Sequence, residues 1–116
     1  MESFKNQIFE LSEKIRYVAI YKDGVLISSS KQNLQNTSSS ESDKYEELIV
    51  NPALLTLATQ RGNIDCGGCE YILVRYGHFF EYMSRIKDGH VSVGIEPNAE
   101  IADLAIRLKK FLKVHE

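Results

Sequence analysis

The sequence has little that would staple, anchor or charge it. Its two cysteines do not make a disulfide framework, so apolar packing has to hold its 116 residues together. No run of about 18 apolar residues exists, and no apolar core follows a basic start. Neither a membrane span nor a signal peptide is therefore expected, and the default location is the cytoplasm. Charge of one sign is also missing. A net charge of −2 leaves no electrostatic footprint for nucleic acid or an anionic membrane surface. The basic cluster Arg107, Lys109, Lys110 and Lys113 closes the last predicted helix, where cations suit the dipole and a solvated face. Catalytic signatures are absent as well. No Gly-x-x-x-x-Gly-Lys-Ser/Thr, Gly-x-Gly-x-x-Gly or His-Glu-x-x-His occurs, and Ser28, Ser29 and Ser30 have no His and acid placed by a local motif. No catalytic residue is assigned, and the chain reads as non-enzymatic.

What is present is a regular succession of short elements in one domain, 1–116, without internal repeats. Ser3 is placed to cap a helix over 4–14 with Phe4, Ile8, Leu11 and Ile15 on one stripe. Two β-rich runs, 16–21 and 26–30, flank Asp23-Gly24, a strong hairpin signal. Residues 31–43 contain one large apolar side chain and read as a mobile surface loop. After the central stretch, strands are predicted over 71–76, 79–86 and 91–95. Gly77-His78 and a second Asp-Gly turn, Asp88-Gly89, chain them into a meander. Asn98 is the predicted cap of a final helix bearing Ile101, Leu104, Ala105, Leu108, Phe111 and Leu112 on one stripe. The order α-β-β-α-β-β-β-α is that of an α+β fold, most economically a five-stranded antiparallel sheet with helices on both faces.

The central stretch, 43–76, carries most of the information. Asn51-Pro52 reads as a helix start after a short turn at 44–50, and Gly62-Asn63 as its stop. At about 100° per residue, Leu48, Leu55 and Ala58 fall on one side of this segment. Val50, Ala53, Leu54 and Leu57 fall on the other. A helix that only covers a sheet needs one apolar stripe, so the second is expected to meet a partner subunit. The run Tyr71–Tyr76 is apolar on both faces, as a covered strand should be.

The Tyr-Lys-Asp-Gly-Val-Leu-Ile-Ser-Ser-Ser hairpin at 21–30, the apolar second helix and the three-strand meander before a terminal helix resemble the roadblock/dynein light chain family. That family belongs to the wider profilin-like group of folds. The resemblance covers nearly the whole chain. It implies a strand order 2-1-5-4-3 and a homodimer or heterodimer in which the second helix and third strand meet their counterparts. In this sequence that interface would comprise Val50, Leu54, Leu57 and Arg61 with Tyr71, Leu73 and Arg75. It further implies a scaffold or regulator of a small Ras-like GTPase. The chain departs from the family in its long serine-rich segment 31–43 and in Cys66-Gly67-Gly68-Cys69.

Those two cysteines are the one sharp chemical feature. A redox pair wants a thiolate at a helix N-terminus, whereas these follow a helix C-terminus. A closed zinc site needs four ligands, which two copies of the hinge could supply across a dimer, or His78 and His90 could complete. The plain use is two ordinary thiols in a glycine hinge, with no cofactor. The aromatics Tyr71, Tyr76, Phe79, Phe80 and Tyr82 are interleaved with only Arg75 and Arg85. Cross-strand packing is their expected use, rather than base stacking.

Overall fold

The structure, a computed structural model, describes residues 1–31 and 40–115. Its elements are α1 (Glu2–Phe9), β1 (Ile15–Lys22), β2 (Val25–Ser30), α2 (Ser40–Tyr45), a π-helical turn (Glu46–Val50), α3 (Asn51–Asp65), β3 (Ile72–Arg75), β4 (Phe80–Ile86), β5 (Gly89–Ile95) and α4 (Ile101–His115). The five strands form one antiparallel sheet in the order β2-β1-β5-β4-β3, as the resemblance implied.

The alternation of side chains along the strands gives the sheet two unlike faces. On one, Val18, Ile20, Tyr82, Ile86, Val91, Val93 and Ile95 pack with Ile8 of α1 and with Leu104, Ala105, Leu108 and Leu112 of α4. This is the apolar core, and the α4 stripe was legible in sequence because its 3.6-residue period is unbroken. On the other face, register places Tyr17, Ala19 and Tyr21 of β1 beside Gly94, Ser92 and His90 of β5. These in turn lie beside Glu81, Met83 and Arg85 of β4. That face is largely polar, and the π turn and α3 cover it.

Several local expectations change. The first helix begins at Glu2 behind Met1, so Ser3 lies inside it rather than capping it, and it stops at Phe9. Ser12 Oγ accepts the Lys14 N–H in the following turn, so Ile15 enters the core as the first residue of β1. The last helix begins at Ile101, not behind an Asn98 cap. Asn98 lies in a turn closed by Ala99 N–H to Glu96 C=O. Most of the predicted loop 31–43 lies outside the described residues, and its last part is helical, within Ser40–Tyr45.

The second hairpin also uses its glycine for a different purpose. Asp23 and Gly24 both have positive φ, 54° and 79°, as a type I′ turn requires. In the other turn only Asp88 does. Gly89 is needed because a Cβ there would lie 1.7 Å from the Tyr21 carbonyl oxygen, where β5 crosses close to β1. The two turns abut, Asp23 N–H donating to Asp88 C=O at 3.1 Å.

The aromatics pack as expected. Tyr71 stacks on Tyr82 at 5.2 Å and Tyr76 meets Phe79 at 5.7 Å. Arg75 and Arg16 lie over the rings of Phe80 and Phe79 at 5.0 and 5.2 Å.

Candidate functional site

The central helix is one continuous rod rather than a turn followed by a helix. Tyr45, Val50 and Asn51 all have right-handed helical dihedrals, so α2, the π turn and α3 run on without a break. Pro52 explains the π turn. Proline has no N–H and its ring collides with the carbonyl four residues back, here Leu48. A wider turn with five-residue bonds, such as Asn51 N–H to Glu46 C=O, opens the helix just before that collision. The two apolar stripes were drawn on a uniform 100° step, and the π turn shifts the phase between them. Leu48 is consequently exposed while Leu55 is buried.

The inner side of this rod is polar at its start. Glu47, Asn51, Glu81, His90 and Ser92 are all buried between helix and sheet. Glu47 is well served: its Oε1 accepts from Ser92 Oγ at 2.6 Å and from Asn51 Nδ2 at 3.4 Å, and lies 2.8 Å from His90 Nε2. Its Oε2 accepts from Tyr17 Oη at 3.3 Å. Glu81 is poorly served. Its Oε2 takes a long contact from Asn51 Nδ2, 3.4 Å, and its carboxyl shares a hydrogen bond with the carboxyl of Glu46. Burial, followed by the adjacent Glu46 carboxyl, pushes Glu81 well above the ordinary carboxylate range. Burial raises Glu46 as well, and burial beside Glu47 raises the Tyr17 phenol. One carboxylate oxygen from each of Glu46, Glu47 and Glu81 lies within 4.8 Å of the other two. A cavity of about 330 Å³ opens toward the Asp88-Gly89 turn, lined by Tyr21, Pro52, Leu55, Thr56, Arg85 and His90.

Of this layer the sequence singles out only His90, as a residue able to complete a zinc site; it is instead a buried strand residue of β5 paired with Glu47. The signal available in sequence was the alternation His90, Ser92, Gly94 between Val91, Val93 and Ile95, together with Glu46-Glu47 and Glu81 in otherwise apolar stretches.

The outer side of the rod is apolar and uncovered among the described residues. Leu57 is 64% exposed and Ile64 76%, with Tyr45, Leu48 and Ile49 exposed toward the other end. Arg61 sits among them, paired with Asp65 at 2.7 Å. Of the other residues read as interface, Val50 and Leu54 are half-buried. Leu73 is 37% exposed and Arg75 exposed, on a strand that pairs with β4 alone among the described residues. Within the single chain β3 is half-buried at Ile72 and Val74 and exposed at Leu73 and Arg75, and it is the last strand of the sheet. Tyr71 and Leu73 lie on the α4 side of the sheet, Leu73 opposite Tyr82. Ile72 and Val74 are the strand residues turned toward α3.

The glycine hinge closes the end of this rod. Gly62 does not stop the helix, which runs to Asp65; a Cβ at Gly62 would lie 2.5 Å from the Gly68 carbonyl oxygen. Gly67 and Gly68 turn the chain with φ of 79° and 92°, and Gly68 N–H returns to Gly62 C=O at 3.0 Å. Cys66 is exposed, its Sγ 3.3 Å from Asp65 Oδ1, and Cys69 is half-buried. His78 is exposed on its turn, and neither histidine joins the cysteines in a cluster among the described residues.

The same topology recurs in solved structures. Over 98% of this chain and 92% of that one, it is similar to a roadblock/LC7 domain from Streptomyces avermitilis, with a TM-score of 0.72 and 13% identity. This is a roadblock fold. The gliding protein MglB of Thermus thermophilus is similar at a TM-score of 0.67 and 10% identity, over 97% of this chain and 82% of that one. MglB of Myxococcus xanthus matches at 0.66 and 14%, over 96% and 89%. No family model matches the chain, and no curated protein matches it by sequence. Among the described residues no helix is long and apolar enough to cross a membrane.

Proposed function

We propose that this roadblock domain is a non-enzymatic cytoplasmic regulator or scaffold. It pairs with a second copy through the outer face of α3 and the free edge of β3. The joined surface is offered to a small Ras-like GTPase or a similar switch protein. The observation that carries the reading is the apolar outer face of the helix, with Leu57 and Ile64 exposed, on the same chain as an edge strand whose outer side meets no other strand among the described residues. An open strand edge is a ready template for a second strand, and a two-fold axis would pair both features with their own copies. One similar solved structure, described as MglB with tetrameric arrangement, covers 97% of this chain at a TM-score of 0.68. Such association is within the repertoire of the fold.

Native mass spectrometry tests the first half: a species of twice 13.2 kDa is expected. Titration of that dimer against Ras-like GTPases loaded with GDP or a non-hydrolysable GTP analogue tests the second. Binding that depends on the nucleotide is the expected result. A monomer that ignores both nucleotide states would refute the reading.

A further inference from the structure

Two charges of opposite sign line the cavity at the Asp88-Gly89 turn, and their neighbours neutralise neither. Arg85 and Asp88 both border the space of about 330 Å³ left between α3 and the β4–β5 hairpin. Close as they are in the chain, they form no ion pair with each other or with any other described residue. Arg85 is exposed, and its Nη2 donates to Thr56 Oγ1 at 3.1 Å. The helix thereby fixes one corner of the guanidinium and leaves the rest of the fork open to a second acceptor.

The space follows from the residues around it. Pro52 and Gly89 face it with no long side chain to fill it. Gly89 can carry none, because a Cβ there would run into the Tyr21 carbonyl oxygen. Leu55 and Ile86 supply apolar wall, and the Tyr21 ring, stacked on His90 at 5.8 Å, supplies a flat one. His90 Nε2 lies 2.8 Å from Glu47 Oε1, so that nitrogen is assigned the proton and Nδ1 is left an acceptor. At about 330 Å³ the cavity is at the small end of the range for ligand sites.

A cation, an anion and apolar walls around one small cavity select a molecule that carries both charges itself. A simple carboxylate would set an anion against Asp88, and a simple amine would set a cation against Arg85. We infer that the cavity binds one free amino acid with an apolar side chain. Its carboxylate takes the open side of the Arg85 fork and its ammonium takes Asp88. Its side chain lies against Leu55, Ile86 and the Tyr21 ring. Every lining residue comes from one chain, so a Leu57→Glu chain, altered on the outer face of α3, binds the amino acid as the parent does. The inference therefore stands or falls separately from the reading of that face.

Nitrogen-15 correlation spectra of the labelled chain, titrated separately with L-leucine, L-methionine and L-phenylalanine to about 10 mM, test this. At least one of the three is expected to give saturable shifts centred on Tyr21, Leu55, Thr56 and the stretch from Arg85 to His90. The analogue of that amino acid lacking the ammonium, and the one lacking the carboxylate, should each bind at least about ten-fold more weakly. Arg85→Gln and Asp88→Asn should cost at least about as much, roughly ten-fold each. Both positions are exposed, and asparagine tolerates the positive φ of 62° at position 88, so both variants should melt where the parent does. No saturable shift with any of the three amino acids by about 10 mM would overturn the site. So would single-charge analogues that bind as tightly, or binding that survives both substitutions, since neither charge would then be read.

Discussion

Replacing Leu57 by glutamate separates the outer face of the helix from everything beneath it. Leu57 is 64% exposed in the single chain, so the folded monomer loses almost nothing when it changes. Substitutions at such surface positions usually stay within about 0.5 kcal/mol. In a two-fold dimer the same side chain becomes buried twice. Fully burying a leucine is worth about 1.5–3 kcal/mol, so the part still exposed contributes about 1–2 kcal/mol per copy and about 2–4 kcal/mol per dimer. At about 1.4 kcal/mol per decade, the dissociation constant should rise roughly 30- to 1,000-fold. Two desolvated carboxylates facing each other push it further in the same direction. Sedimentation equilibrium across a dilution series measures this, and a urea melt of the dilute variant checks that the monomer is intact. Leu54 is the poorer probe, because it is already half-buried and its loss would also disturb the monomer. A wild-type chain that stays monomeric at about 100 μM, or a variant with an unchanged constant, would refute the assignment of this face.

Other substitutions test the parts beneath and beside it. Gly62→Ala would force a Cβ to 2.5 Å from the Gly68 carbonyl oxygen and should lower stability by about 1–3 kcal/mol in urea titrations. Gly77→Ala, with nothing within 4 Å of its Cβ, should stay within about 0.5 kcal/mol. Stability should fall as pH rises above the ordinary carboxyl value of 4.5, because the folded state holds protons on Glu81 and Glu46 where the unfolded chain releases them. Glu81→Gln should flatten that slope, and a midpoint in urea that rises over the same range would contradict it. Cys66, exposed, should be alkylated several-fold faster than half-buried Cys69, as peptide mapping after a timed quench would show. Equal rates would mean that the hinge opens.

The part of the fold that sequence could reveal is the part held by local geometry. Asp23-Gly24 closes its hairpin with both φ angles positive because no other short pairing tolerates that conformation so well. The α4 stripe lies on the apolar core because a helix with an unbroken period can bury only one face. The element order follows from these and from short connections and carried the roadblock resemblance, which in turn implied the strand order. The exposed Leu57 was also legible, since a second apolar stripe on a short chain has nowhere internal to go.

The polar layer could not be read the same way. Glu46, Glu47, Asn51, Glu81, His90 and Ser92 are spread over 47 positions of sequence, and each alone looks like a solvated residue or a cap. Asn51-Pro52 reads as a helix start because both residues favour one. In the folded chain the proline instead sits within a longer helix whose π turn makes room for it, and the asparagine turns inward onto carboxylates from another element. Sequence by itself determined the sheet, the apolar core and the uncovered helix face, which depend on period and on turn chemistry. Only the tertiary structure decided what lies beneath the helix. Sheet register and a change of helical pitch bring together charges that neither period nor spacing relates.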